Sequence, residues 1–250
     1  MPWPPRQRAG VSLEVRGAQQ CVRIESMQVE LPAGQFSYVD TGEGKEVILL
    51  LHAMGRSASD WQPIIDRLGD KYRTIGLDLR GHGGSSRTGT YSFELMRNDV
   101  RDFADALRLS RFHLIGHSMG ATVSILFAER WPARIDHLVL EDTPPPSGRE
   151  QIPAPSPEAP EPVPFDWAVL APIIHQLNDP DPAWWTDLGN ISAPTLVIGG
   201  GHESFIDQTE LSETVSRIPD ARLITIEAGH HVHSTKPDEF ASAVQAFLTV

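Results

Sequence analysis

Downstream of residue 28 the chain alternates short apolar runs with amphipathic stretches. Residues 29–31 and 36–40 are short, strand-like and separated by Pro32-Ala33-Gly34, a turn composition, so an edge hairpin is predicted there. Residues 47–51 are apolar throughout, the pattern of a parallel strand covered on both faces. A second such run follows at 74–79. Between them Trp61, Ile64, Ile65 and Leu68 recur at helical spacing, which makes the segment a βαβ unit. Ser92 is placed to N-cap a helix whose apolar face is Phe93, Met96, Val100, Phe103 and Leu107, spaced by alternating threes and fours. Phe112, Leu114 and Ile115 predict the next strand, and Ala121, Val123, Ile125, Leu126 and Ala128 the helix after it. Further strands are predicted at 135–140, 195–198 and 222–226, and helices at 211–217 and 240–248. This βα alternation implies a mainly parallel sheet with helices on both faces.

One stretch departs from the alternation. Residues 144–164 contain nine prolines, at 144, 145, 146, 153, 155, 157, 160, 162 and 164, and can hold little helix or sheet. Phe165, Trp167, Leu170, Ile173, Ile174 and Trp184-Trp185 follow. Such an apolar and aromatic segment needs a surface to cover, so residues 144–187 are expected to form a short lid inserted between strands, a surface linker being the alternative.

At 250 residues the chain suits one α/β domain, expected over residues 27–250, with an N-terminal extension of poor order over 1–26. The charge of 21 positive against 33 negative residues, −12, argues against a nucleic-acid surface or an anionic membrane as partner. The single cysteine, Cys21, cannot form an intrachain disulfide. The first 26 residues have no apolar run of the signal-sequence kind, which leaves a cytoplasmic location as the default expectation. No window approaches the roughly 20 apolar residues of a membrane-spanning helix.

The chemistry centres on Gly116-His117-Ser118-Met119-Gly120. Set between a predicted strand and a predicted helix, these residues read as a nucleophile elbow, a tight turn that exposes the Ser118 hydroxyl. The flanking glycines lack side chains that would strike the neighbouring strand and helix. The helix start aims free backbone N–H groups at the place where negative charge would develop. Serine needs a base. His230 is the best placed of the ten histidines, because Gly229-His230 follows the last strand and precedes Pro237 and the final helix. His231 and His233 lie close by, but their spacing fits no metal-ligand pattern and no matching carboxylate or cysteine set accompanies them, so no metal and no cofactor are expected. For the oxyanion, the backbone N–H groups of Met119 and of Met54, in the loop after the third strand, are the expected donors.

Five stretches resemble the α/β-hydrolase superfamily, in the broad group of esterases, lactonases, cofactor-free haloperoxidases and carbon–carbon bond hydrolases. They are Leu51-His52-Ala53-Met54-Gly55, Asp78-Leu79-Arg80-Gly81-His82-Gly83, the elbow, Pro194-Thr195-Leu196-Val197-Ile198-Gly199-Gly200, and Gly229-His230, and they extend over nearly the whole chain from Val29 onward. The resemblance implies an α/β-hydrolase fold with a mostly parallel eight-stranded sheet and the order serine, acid, histidine. Glu203, after the strand that ends in Gly199-Gly200-Gly201, is the expected acid. Asp142, after the strand at 135–140 and Glu141, is the rival and Asp207 a weaker third. The chain departs from the family pattern at Ala53, where glycine commonly follows the histidine, at Glu203, where aspartate is more frequent, and in a short, proline-rich lid. Asp78, Arg80 and His82 are expected to hold loops near the oxyanion turn, and His117 to pack or hydrogen-bond rather than act as a second base.

The function this implies is a cofactor-independent serine hydrolase for a small ester, lactone or related carbonyl compound with an apolar part, proceeding through an acyl-enzyme. Serine at the elbow disfavours epoxide hydrolase and haloalkane dehalogenase chemistry, since those relatives use a carboxylate there. Carbon–carbon hydrolysis, acyl transfer and perhydrolysis remain open, as does a non-catalytic protein that binds a small ligand.

Overall fold

Successive residues of a strand point to opposite faces, so a strand apolar at every position has to be covered on both sides. The computed structural model, which describes residues 26–42, 44 and 46–249, has this arrangement. Ile48 and Leu50 join one core cluster, Leu49 and Leu51 the other, and all four are fully buried. The N-terminal extension expected at 1–26 lies outside the described residues, apart from Ser26, which opens the first strand.

Eight strands form one sheet: β1 (Ser26–Leu31), β2 (Gly34–Asp40), β3 (Glu46–Leu51), β4 (Tyr72–Leu77), β5 (Phe112–His117), β6 (Ile135–Glu141), β7 (Thr195–Gly199) and β8 (Ala221–Thr225). Their order is β1-β2-β4-β3-β5-β6-β7-β8. The β1–β2 hairpin is antiparallel and pairs antiparallel with β4, while all later pairs are parallel. The α-helices are α1 (Gln62–Leu68), α2 (Phe93–Ala106), α3 (Met119–Arg130), α4 (Leu170–Asn178), α5 (Ala183–Thr186), α6 (Gln208–Arg217), α7 (Val232–Thr235) and α8 (Pro237–Leu248). Residues of α2, α3 and α6 pack in one core cluster and those of α1 and α8 in the other, so the sheet is covered on both faces. No helix among the described residues is long and apolar enough to cross a membrane.

Local chemistry sets the boundaries. Ser92 caps α2, its hydroxyl accepting from Leu95 N–H at 3.1 Å, and Phe93, Met96, Val100 and Phe103 are buried along one stripe of the helix. β4 stops at Leu77, two residues before the apolar pattern does, because Asp78 turns inward. Its carboxylate accepts from Ala58 N–H at 2.7 Å and Gly84 N–H at 2.9 Å, tying together the loops after β3 and β4. Arg80 and Asp99 form a buried pair at 2.5 and 2.6 Å that anchors the same loop to α2.

Residues 142–166 contain neither helix nor strand, their one ladder contact being the isolated bridge of Phe165 to His82. Beyond them Val169, Ile173, Trp184 and Leu188 are buried in the cluster that includes α2, with the Trp184 ring edge-on to Phe93 at 5.6 Å. Gln176 accepts from Phe93 N–H at 2.9 Å and donates to Glu94 at 2.8 Å. The segment is thus docked on the first turn of α2.

Candidate active site

Ser118 stands where β5 ends and α3 begins, with φ 52° and ψ −121°. Steric conflict makes positive φ costly for any residue with a side chain, and the conformation persists only where the surroundings impose it. Here they do. A Cβ on Gly116 would meet the Gly120 carbonyl at 2.5 Å, and one on Gly120 would meet the Leu51 carbonyl at 2.2 Å, so both positions require glycine. Ser118 is half-buried, and its carbonyl accepts from Ala121 N–H at 2.8 Å. Met119 is the first residue of α3, where a helix leaves the backbone donor without an intrahelical partner.

Besides Ser118, the non-glycine residues with positive φ among those described are Arg108 and Asp142, the latter at 44°. Asp142 follows β6 directly and is fully buried. Its Oδ2 accepts from His230 Nδ1 at 2.9 Å and from Ser204 Oγ at 2.5 Å; its Oδ1 accepts from Gly200 N–H at 2.7 Å and Gln208 Nε2 at 3.1 Å. Burial pushes this carboxyl up, but the hydrogen bonds from His230, Ser204, Gly200 and Gln208 outweigh it and hold the group below the usual carboxylate range.

The expectation that Glu203 would hold His230 is therefore corrected. Glu203 lies exposed in a single turn after β7, and the imidazole bond goes to Asp142. The reason is the loop after β7. It gives Asp142 a backbone N–H from Gly200 and a hydroxyl from Ser204 instead of presenting a carboxylate of its own. Asp207 is occupied in capping α6, accepting from Thr209 N–H at 2.8 Å. Ser204 and Gln208 carry no sequence signal that sets them apart from ordinary loop and helix residues. Phe205 has one only in hindsight: it is 72% exposed, a large apolar side chain left outside, and its ring centroid lies 4.4 Å from that of His230.

Met54 occupies a turn after β3, closed by Arg56 N–H to Ala53 O at 3.1 Å. Gly55 takes the positive φ of that turn, 72°, and Ala53 keeps a negative one, so the departure at Ala53 imposes no left-handed alanine. His52 braces the loop: its Nδ1 donates to Ala53 O at 2.8 Å and its Nε2 accepts from Leu79 N–H at 3.0 Å. Burial first, and His82 next, push His52 down to about 3, which keeps it neutral in this role.

Among the described residues the Ser118 hydroxyl forms no hydrogen bond. The elbow and the histidine loop are joined instead one residue away, where His117 Nε2 donates to the His230 carbonyl at 2.9 Å. His117 belongs to a second group of titratable side chains beneath the first. Glu141, fully buried, accepts from both the backbone N–H and the Nδ1 of His233 at 2.8–2.9 Å. His233 Nε2 is 3.4 Å from Asp60, and Trp61 stacks on the ring at 4.3 Å. Burial opposes a charge on His233, yet Glu141 and Asp60 push it up to about 9. Asp60, His117 and His233 each bring a possible ligand atom within 4.8 Å of the others, the cluster among the described residues closest in kind to a metal site. Both nitrogens of His233 already face carboxylates, an arrangement a proton fills.

Comparison with known proteins agrees with this architecture. A family described as alpha/beta hydrolase fold matches residues 46–171. The chain is 32% identical over 151 residues to epoxide hydrolase 3 of Xenopus tropicalis, covering 58% of this chain but only 40% of that protein. It is 25% identical over 260 residues to the sn-1-specific diacylglycerol lipase ABHD11 of Mus musculus, covering 85% of this chain and 84% of the lipase. The structure of the enol-lactonase from Burkholderia xenovorans LB400 superposes with a TM-score of 0.77 at 23% identity, covering 90% of this chain and all of that one. The chain belongs to the α/β-hydrolase family.

Proposed function

We propose that the protein is a serine hydrolase that cleaves a small ester, lactone or related carbonyl compound with an apolar part, using Ser118 as nucleophile, His230 as base and Asp142 as the acid that orients it. The observation that carries this is the Asp142–His230 bond at 2.9 Å, made by a buried carboxylate whose other bonds fix it from three further directions. A carboxylate on Nδ1 leaves Nε2 as the basic nitrogen. In the proposed cycle Ser118 Oγ attacks the carbonyl carbon and its proton passes to His230 Nε2. The oxyanion is held by the N–H groups of Met119 and Met54. The leaving alcohol takes the proton from His230, and water, deprotonated in turn by His230, releases the acid. Phe205 beside His230 gives an apolar wall for the substrate.

The test is labelling by a fluorophosphonate probe together with hydrolysis of short and medium p-nitrophenyl esters, for the wild type and Ser118→Ala. Both activities are expected to vanish in the variant. Turnover that survives removal of Ser118, or folded wild-type protein that takes no label, would assign the site to ligand binding instead.

A further inference from the structure

Two carboxylate–imidazole pairs leave the same two segments side by side. Asp142 holds His230, and the preceding residue, Glu141, holds His233, three residues further along the other segment. The second pair is fully buried and has no access to substrate, and it meets the first through one side chain, His117. A carbonyl oxygen can only accept, so the 2.9 Å contact from His117 Nε2 to the His230 carbonyl requires the proton to be on Nε2. His117 Nδ1 is then a bare acceptor, and it is buried with no partner among the described residues. An apolar side chain of similar size would avoid that penalty. What the imidazole supplies is the Nε2 donor.

We propose that His117 is a positioning residue for the reaction, clamping the backbone of His230 to the residue next to the nucleophile, with the ring of His233 packed edge-on against it. The inference rests on the Ser118–His230–Asp142 reading of the site. Its physical content is that His230 is fixed at two places: its ring by Nδ1 on Asp142 and its backbone by the carbonyl on His117. Both are needed, since a carboxylate alone fixes one atom of a ring that can still swing with its loop. The titratable and charged groups around His117 are Glu141 at the end of β6, Asp60 just ahead of α1, His52 after β3, and His230, His231 and His233 after β8. Burial, with His233, His230 and His231, pushes His117 down to about 4 against the pull of Glu141, which leaves it neutral and able to keep this donor and acceptor pattern near neutral pH.

The test compares His117→Leu, which removes the donor, with His117→Gln, whose Nε2 amide retains one at about the same reach. In the leucine variant kcat is expected to fall on the order of tenfold to hundredfold, the cost of a small misplacement of a catalytic group, with KM within about twofold of wild type. Glutamine is expected to recover most of the loss in kcat. If leucine does not fold, His117→Asn, whose amide stops short of the carbonyl, takes its place in the comparison with glutamine. Wild-type kcat in a folded leucine or asparagine variant would overturn the inference, and so would a glutamine variant no better than either. Stoichiometric metal in the purified protein, lost on His117→Gln, would also overturn it by assigning the cluster to a cation. Ser118→Ala separates the two readings. If it is inactive while the His117 variants behave as wild type, the clamp alone fails; if it is active, the serine mechanism fails with it.

Discussion

His230 donates from Nδ1 to Asp142 at 2.9 Å across 88 residues of chain, and the carboxylate that receives it stands directly after β6, not in the loop after β7. Replacing Asp142 with Asn is therefore expected to lower kcat/KM by roughly 10³–10⁴-fold, the loss that follows when an orienting carboxylate becomes an amide and the wrong imidazole tautomer is favoured. Glu203→Gln is expected to stay within about twofold of wild type. Ester hydrolysis by the two variants, with circular dichroism to confirm folding, measures both, and the reverse ranking would return the acid to Glu203.

His233 gives the protein a pH dependence of its own. Its pKa is raised from 6.5 to about 9, so the folded state binds a proton more tightly than the unfolded chain does. The stabilisation is then fully present below pH 6.5 and is lost as pH rises through 9, and a shift of this size corresponds to about 3 kcal/mol at most. Denaturant midpoints are expected to fall between pH 6.5 and 9, and to fall less in His233→Gln, which would start from lower stability. An equal slope in both proteins would show that other groups set the alkaline limit.

Phe205 separates stability from substrate binding. Since 72% of the residue is exposed, Phe205→Ala is expected to change unfolding free energy by less than about 0.5 kcal/mol. Its ring covers His230, so KM for esters with a bulky apolar group is expected to rise about fivefold while that for acetate esters changes little. A matched series of p-nitrophenyl and aliphatic esters reads the difference. A uniform change across the series would remove Phe205 from the substrate wall.

Gly120 tests the elbow itself. An added Cβ would sit 2.2 Å from the Leu51 carbonyl, a backbone atom that cannot swing aside. Gly120→Ala is expected to lose about 2–3 kcal/mol of stability, or to force β3 and α3 apart and slow acylation. Thermal unfolding and fluorophosphonate labelling rates distinguish these outcomes from a silent substitution.

Most of the framework was legible because it is local. Apolar runs at 47–51 and 135–140 name buried strands, the three-four spacing from Phe93 names α2, and Gly116 and Gly120 around Ser118 name a sharp turn. The end of β4 was not legible, since Asp78 leaves the sheet for partners at Ala58 and Gly84 that only the folded chain brings near. The carboxylate partner of His230 was not legible for a related reason. Asp142, Glu203 and Asp207 all fall between Ser118 and His230 in sequence, and only spatial placement separates them. Ser204 and Gln208 matter through bonds to Asp142, which nothing in their own neighbourhood announces. Nothing in the sequence joins Glu141 to His233, 92 residues apart, which only the fold brings to 2.8 Å.

The parallel registers at the end of the sheet have a wider consequence. Glu141 is level with His117 on one side and with Ile198 on the other, so Ser118 and Asp142 leave the sheet level with Gly199, the last residue of β7, like adjacent teeth of a comb. An acid grafted onto either of the two teeth beyond the serine starts its approach to His230 from the same level. A second-site revertant of Asp142→Asn that places an aspartate after β7 becomes a natural target for selection, and the order of residues along a chain is a poor guide to which tooth carries the charge.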